Sequence, residues 1–150
     1  MGGQGIFRVQ ANGLNLASIV ETLGGNGQRA LMVQKFLPEI AAGDKRVLLI
    51  GGEVVPFSLA RIPQAGEVRG NLASGGKGVA QPVTQQELSI AEELAPQLAS
   101  RGLHLVGLDF IGGFLTEINV TSPTCFVEIS EQTGHDVALQ WLTNLEKHIH

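Results

Sequence analysis

The chain has 150 residues, 43% of them hydrophobic and 16% charged, with a formal net charge of −4, which fits about one globular domain. The mild acidity excludes nucleic acid as the main partner, because a phosphate backbone demands a basic face, and no apolar run approaches the roughly 18 residues of a membrane span. Met1-Gly2-Gly3-Gln4-Gly5 has neither the basic nor the apolar region of a signal peptide, and a single cysteine, Cys125, cannot form an internal disulfide, which predicts a reducing cytoplasm.

In chain order, residues 6–9 form a short apolar patch that reads as a strand end. Asn15 is placed to cap a helix with Leu16, Ile19, Val20 and Leu23 on its apolar face. Gly24-Gly25-Asn26-Gly27 stops that helix. Residues 30–36 are predicted as a buried strand. Residues 46–50 and 54–61 are predicted as a hairpin around Gly51-Gly52-Glu53. Over residues 62–81 no period is sustained, and the stretch holds Gly66, Gly70, Gly75, Gly76 and Gly78. A loop of roughly 20 residues exceeds ordinary connections, so it is expected to be a hinged lid. Thr84-Gln85-Gln86-Glu87 is a capping box. It opens a helix with Leu88, Ala91, Leu94, Ala95 and Leu98 in register, ended by Gly102 and expected to kink or to lose hydrogen bonds at Pro96. Residues 103–111 and 115–120 read as two strands joined by a glycine turn. Thr133 and Asp136 read as a weaker capping box before a last helix, with Ala138, Leu142, Leu145 and Ile149 facing inward. This order predicts an α+β fold, with helices packed on a mainly antiparallel sheet.

The densest chemical signal is Gly107-Leu108-Asp109-Phe110 followed by Thr116-Glu117-Ile118-Asn119. Glu117 and Asn119 are two apart on one strand, so they share a face. Asp109 joins them only through a three-residue loop centred on Gly113, or through a bulge. A plain two-residue turn at Gly112-Gly113 would set it opposite Thr116, on the wrong face. With that irregularity two carboxylates and an amide oxygen converge, a set of hard oxygen ligands that suits magnesium. The competing reading is a pair of solvated strand carboxylates. In the lid, residues 71–78 nearly match the phosphate-binding P-loop, but Asn71 stands where its first glycine belongs and Gly78 where Ser or Thr belongs. No βαβ context surrounds it, so the P-loop is rejected. A glycine-rich loop can still wrap phosphates with its amides and lend Lys77 or Arg69 as cations; otherwise it is a surface loop. Arg46, Arg61 and Arg69 lie near the strands. Arginine matches phosphate oxygens at two points, although each alone is also an ordinary surface charge. By pattern alone, Gln34-Lys35-Phe36-Leu37 is a strand end and Asp44-Lys45-Arg46 a turn. His104, His135, His148 and His150 have no metal spacing, Cys125 reads as an inert thiol, and Trp141 as core or interface.

Several runs are family-specific when taken together: Met1-Gly2-Gly3, Ile6-Phe7-Arg8, Gly43-Asp44-Lys45-Arg46-Val47-Leu48, Leu59-Ala60-Arg61-Ile62-Pro63-Gln64, Arg69-Gly70-Asn71-Leu72-Ala73, Val106-Gly107-Leu108-Asp109 and, above all, Thr116-Glu117-Ile118-Asn119-Val120-Thr121-Ser122-Pro123-Thr124. In this order they resemble the prokaryotic glutathione synthetase family over nearly the whole chain, least in the last helix. The resemblance implies an ATP-grasp ligase. In that reaction ATP phosphorylates the cysteinyl carboxylate of γ-glutamylcysteine, and glycine's amine attacks the acyl phosphate to give glutathione, ADP and phosphate. It also implies that Asp109, Glu117 and Asn119 hold magnesium, with manganese as the alternative, and that Gln34, Lys35, Phe36 and Leu37 hold adenine. Asp44 and Arg46 then contact the nucleotide, and Arg61 the phosphate or acyl phosphate. Arg69 and Asn71 belong to the closing lid with Gly75 and Gly76, Ser122 lies toward the peptide or glycine end, and Gly2 and Gly3 form a small phosphate loop.

In that family a strand bearing an ATP-binding lysine, and a whole domain before it, precede the glycine loop. This sequence begins at Met1 without them, so the chain is expected to be inactive alone and to carry an unpaired sheet edge through which copies associate as a homo-oligomer. Two other readings remain: another ATP-grasp ligase joining a different amine and carboxylate, and a non-catalytic interaction module. The Thr121-Ser122-Pro123-Thr124 run speaks for glutathione synthesis.

Overall fold

A computed structural model describes residues 5–64 and 76–149, with side chains as far as Lys147. The chain divides into two compact units, Met1–Pro38 and Glu39–His150.

In the first unit, α1 (Leu16–Gly24) ends as its glycines predict: Gly25 takes φ +55 and its N–H returns to Glu21 O, a left-handed cap that costs glycine no side-chain clash. Its start differs. Asn15 is itself left-handed at φ 63 and its side chain makes no cap bond. Neither residues 6–9 nor residues 30–36 form a strand. Both runs are apolar, but among the described residues neither has a ladder neighbour, and extended backbone becomes a strand only by pairing. The expected burial of 30–36 is also absent, with Met32 81% and Val33 89% exposed.

The second unit opens with a 3-10 turn (Pro38–Ala42). Its core is a five-stranded sheet of β1 (Asp44–Ile50), β2 (Glu53–Ile62), β3 (Lys77–Pro82), β4 (Leu105–Ile111) and β5 (Phe114–Asn119), in the order β3-β2-β1-β4-β5. Every neighbouring pair is antiparallel. β1 and β2 are joined by Gly51-Gly52, at φ 60 and 87, the positive pair that a tight two-residue hairpin requires. Glu53 is therefore in β2, opposite Ile50, and not in the turn. The predicted lid is shorter than 62–81. Ile62 ends β2, and β3 pairs with it from Ile62↔Lys77 to Phe57↔Pro82. Gly78 and Pro82 hide this strand in the sequence, yet an edge strand tolerates both because one of its backbone sides needs no partner. Residues 65–75 lie outside the described residues.

Three helices cover the sheet: α2 (Gln85–Ala99), α3 (Phe126–Thr133) and α4 (Val137–Ile149). The α2 capping box forms as read, Thr84 Oγ1 accepting from Glu87 N at 3.3 Å and Glu87 Oε2 accepting from Thr84 N at 3.0 Å. The helix continues through Pro96 to Ala99. Ala91 and Ala95 pack on Val47, Leu49, Val106, Leu108 and Phe110. On the opposite face, α3 and α4 bring Cys125, Ile129, Val137 and Trp141 onto Leu48, Ile50, Val55 and Leu59. Each fully buried aliphatic side chain contributes about 1.5–3 kcal/mol. Helix α3 is missed from the sequence because it is only eight residues long and buries only Ile129. The sequence reading also misplaces the start of α4. Thr133 is the last residue of α3, bonded back to Ile129 O at 2.7 Å, while Asp136 Oδ1 accepts from Leu139 N at 2.9 Å. The inward residues are accordingly Val137 and Trp141; Ala138 and Leu142 are exposed.

Alternation along β1 sets Asp44, Arg46, Leu48 and Ile50 on one face. Leu48 and Ile50 lie beneath α3 and α4. The polar pair, Asp44 and Arg46, continues that face toward the other end of the strand.

Candidate functional site

The β4–β5 hairpin takes the second of the two routes, a bulge beyond a plain turn. Its turn is the plain pair Gly112-Gly113, at φ 59 and 80, with Ile111 opposite Phe114 and Phe110 opposite Leu115. Between Phe110 and Asp109 the register shifts by one residue, so that Asp109 faces Glu117 and Gly107 faces Asn119. Thr116 is the extra residue of this bulge, its Oγ1 donating to Asp109 O at 3.0 Å. The bulge returns Glu117 and Asn119 to the face of Asp109.

Pairing between strands then assembles the rest. β1 sets Arg46 opposite Asp109, and β2 sets Arg61 opposite Asp44. Asp109 is 3% exposed and is the hub. Arg46 Nε donates to its Oδ1 and Arg46 Nη2 to its Oδ2, both at 2.8 Å. Arg61 Nη2 lies 2.9 Å from Oδ2, and Asn119 Nδ2 donates to Oδ2 at 3.1 Å. Arg61 Nη2 also donates to Asp44 Oδ2. Burial pushes the Asp44 carboxyl up from its ordinary 3.8 to about 6; the Arg61 guanidinium offsets only part of this, and the Asp109 charge adds to it. Burial works against the charge on Arg46, yet its two-point bond to Asp109 holds it above its ordinary value. Among the described residues, Asp44 Oδ1 and Arg61 Nε are buried without a hydrogen-bond partner. Glu117 is exposed and forms no ion pair among the described residues.

Two further residues complete the setting. Arg46 Nη1 donates to Thr124 Oγ1 at 3.1 Å, across 78 positions of sequence. Thr124 reaches it through a connection in which Ser122 and Cys125 have φ 44 and 93. Gly107 makes room for the arginine: a Cβ there would sit 3.2 Å from Arg46 Nε and 3.0 Å from Pro123 Cβ. Neither role has a local sequence signal, because both depend on which strands become neighbours. Burial pushes the Cys125 thiol up, which suits a packed side chain rather than a nucleophile.

Of the expected site residues, the second unit brings together Asp44, Arg46, Arg61, Asp109, Glu117 and Asn119. Ser122 is exposed in the connection from β5 to α3, and Gly76 immediately precedes β3. Gln34, Lys35, Phe36 and Leu37 belong to the first unit, where the Arg8 guanidinium stacks on the Phe36 ring at 3.9 Å. Gly2, Gly3, Arg69, Asn71 and Gly75 lie outside the described residues. An open depression of about 410 Å³ is lined by Ile50, Asp136, Gln140 and Lys147. It sits at the other end of β1 from Asp44 and is not part of this cluster.

Comparison with known proteins supplies what the cluster alone does not. The sequence profile of the prokaryotic glutathione synthetase ATP-grasp domain matches residues 1–134. The chain belongs to the prokaryotic glutathione synthetase family. It is 62% identical over 146 residues to the glutathione synthetase of Bordetella parapertussis, 60% over 147 to that of Ralstonia nicotianae, and 57% over 131 to that of Pseudomonas aeruginosa. Those stretches cover 97%, 98% and 87% of this chain but 46%, 45% and 41% of the relatives, so the chain spans less than half their length. The α+β architecture expected of an ATP-grasp glutathione synthetase is borne out by the antiparallel sheet and its helices.

The chemistry of the donor set fits a small hard cation. Asp109 and Glu117 face each other across one strand pair, and Asn119 follows on the same face, giving only oxygen ligands and few of them. Among the described residues no group of three or more His, Cys, Asp and Glu is placed to hold a metal.

Proposed function

We propose that this chain is the ATP- and magnesium-binding portion of a glutathione synthetase. The parent ligase would join γ-glutamylcysteine to glycine. A carboxylate oxygen of the peptide attacks the γ-phosphorus, ADP departs, and glycine's amine displaces phosphate from the acyl carbon. The observation that carries the reading is the bulge-dependent convergence of Asp109, Glu117 and Asn119 beside Arg46 and Arg61 on one sheet face. In this reading Asp109, Glu117 and Asn119 hold magnesium. What magnesium supplies when bound is neutralisation of polyphosphate charge. Arg46 and Arg61 orient phosphate oxygens with their planar donors, and Asp44 keeps Arg61 from swinging free. Gln34, Lys35, Phe36 and Leu37 receive adenine. Gly2, Gly3, Arg69, Asn71, Gly75 and Gly76 close around the phosphates, and Ser122 meets the peptide or glycine. A cytoplasmic location and a homo-oligomeric state belong to the same proposal.

Isothermal titration calorimetry tests the binding part directly. Heat with ATP is expected only when magnesium is present, and Glu117→Gln should remove most of the magnesium dependence. No heat with ATP and magnesium at millimolar protein would overturn the reading.

A second reading, a non-catalytic interaction module, is favoured by the exposed apolar residues Ile6, Phe7, Leu31, Met32 and Val33 of the first unit. A defined oligomer by light scattering without nucleotide binding would select it.

A further inference from the structure

Asp109 is held in a state that a metal ligand cannot keep. Its Oδ2 accepts from Arg46 Nη2 and Asn119 Nδ2 and is ion-paired with Arg61 Nη2 at 2.9 Å, and its Oδ1 accepts from Arg46 Nε. A carboxylate offers about four lone-pair sites in all, so both oxygens are engaged and Oδ2 is saturated. Asn119 likewise turns its nitrogen, which cannot ligate a cation, to the hub. Two guanidiniums within 2.9 Å of the same carboxylate repel any second positive charge. The arginines are no freer for an anion. Arg46 is committed to Asp109 and Thr124, and Arg61 to Asp44 and Asp109. With Asp44 ionised, two positive and two negative side chains cancel within the cluster. A buried charge is costly unless it stays paired.

We infer that Arg46 and Arg61 are displaceable counter-ions of Asp109, so that the site admits a divalent cation and a phosphate-type anion together and neither well alone. The inference rests on the proposed function and deepens it. When both ligands arrive, the arginines exchange Asp109 for anion oxygens, Asp109 exchanges the arginines for the cation, and Asn119 can rotate its amide to present oxygen. Every buried charge is paired before and after. Either ligand alone would strand one partner. Arg61 is the more exchangeable arm, because one nitrogen serves two carboxylates while its Nε is buried with no partner among the described residues.

Electron paramagnetic resonance of Mn²⁺ with the whole chain tests this, using sulfate as an anion that chelates the metal only weakly. Sulfate should tighten Mn²⁺ binding about tenfold, within the ordinary 5- to 150-fold range of coupling between sites, while chloride at matched ionic strength should not. Arg61→Gln should tighten bare Mn²⁺ and abolish the sulfate effect, yet weaken ATP binding. These opposite signs are what a purely structural or purely phosphate-binding arginine would not give. The wild-type sulfate titration stands even if Arg61→Gln fails to fold. Mn²⁺ affinity indifferent to sulfate, or weakened by Arg61→Gln in a folded chain, overturns the inference while leaving magnesium-dependent ATP heat intact. Sulfate-coupled Mn²⁺ binding without any ATP heat would instead sink the nucleotide reading and keep the counter-ion exchange.

Discussion

Gly107→Ala adds one methyl group at the point where β4 passes beneath Arg46. The new Cβ would lie 3.0 Å from Pro123 Cβ, 3.2 Å from Arg46 Nε and 3.3 Å from Arg46 Cδ, against the 3.5–4.0 Å at which carbon atoms attract. About half an ångström must be yielded. Pro123 is buried and its ring cannot rotate away, so Arg46 must move and its 2.8 Å bonds to Asp109 lengthen. Overpacking of this kind costs about 1–3 kcal/mol, and replacing a strand glycine returns about 0.5–1 kcal/mol of backbone entropy. The net loss should be about 1–2 kcal/mol, seen as a lower urea midpoint with unchanged m and a Tm lower by about 2–8 °C. A variant as stable as the wild type would refute the claim that Gly107 is there to admit the arginine.

Asp44 gives a pH prediction. Its folded pKa, about 6, lies above the ordinary 3.8, so its contribution to stability is fully present below about pH 4 and is lost as pH rises through 6. At 1.36 kcal/mol per pH unit the loss reaches about 3 kcal/mol. Asp44→Asn should flatten the stability profile between pH 4 and 6 and raise stability at pH 7; urea melts at pH 4.5 and 7.5 check this, and an unchanged slope would refute it. The α2 cap gives the opposite sign. Burial alone would raise Glu87, but bonds from Thr84 and Lys45 hold it below its ordinary 4.5, so its contribution is present above that pH and lost as pH falls through the folded value. Thr84→Ala should cost about 1 kcal/mol at pH 7 and weaken that acid dependence, both read from the same melts.

The sequence was most legible where structure is local. The Thr84–Glu87 box, the Gly51-Gly52 and Gly112-Gly113 turns and the Gly25 cap all act within a few residues, and each formed. Where pairing decides, the reading faltered. Residues 30–36 have a strand's composition but no ladder neighbour among the described residues, while residues 77–82 have a poor composition and pair fully with β2. Helix α3 escaped because it buries a single residue, and its omission displaced the α4 register by one position. For the site, alternation put Glu117 and Asn119 together and stated the condition under which Asp109 would join them. The guanidinium partners of Asp109, the reach of Thr124 and the room left by Gly107 arise from contacts between distant strands, and no spacing along the chain encodes them.

The bulge at Thr116 makes the chemistry of the hairpin depend on pairing register rather than on residue identity alone. Removing that single residue would leave the glycine corner able to form and let the two strands ladder without interruption, with Glu117 still directly opposite Asp109 and Asn119 opposite Gly107. What the extra residue contributes is a local bend and the hold of its hydroxyl on the Asp109 carbonyl. Ironing the bulge out with every residue retained has the opposite outcome: Glu117 would oppose Leu108 and face α2, and the oxygens would no longer converge. One irregular rung therefore decides which side of the ribbon carries ligand chemistry.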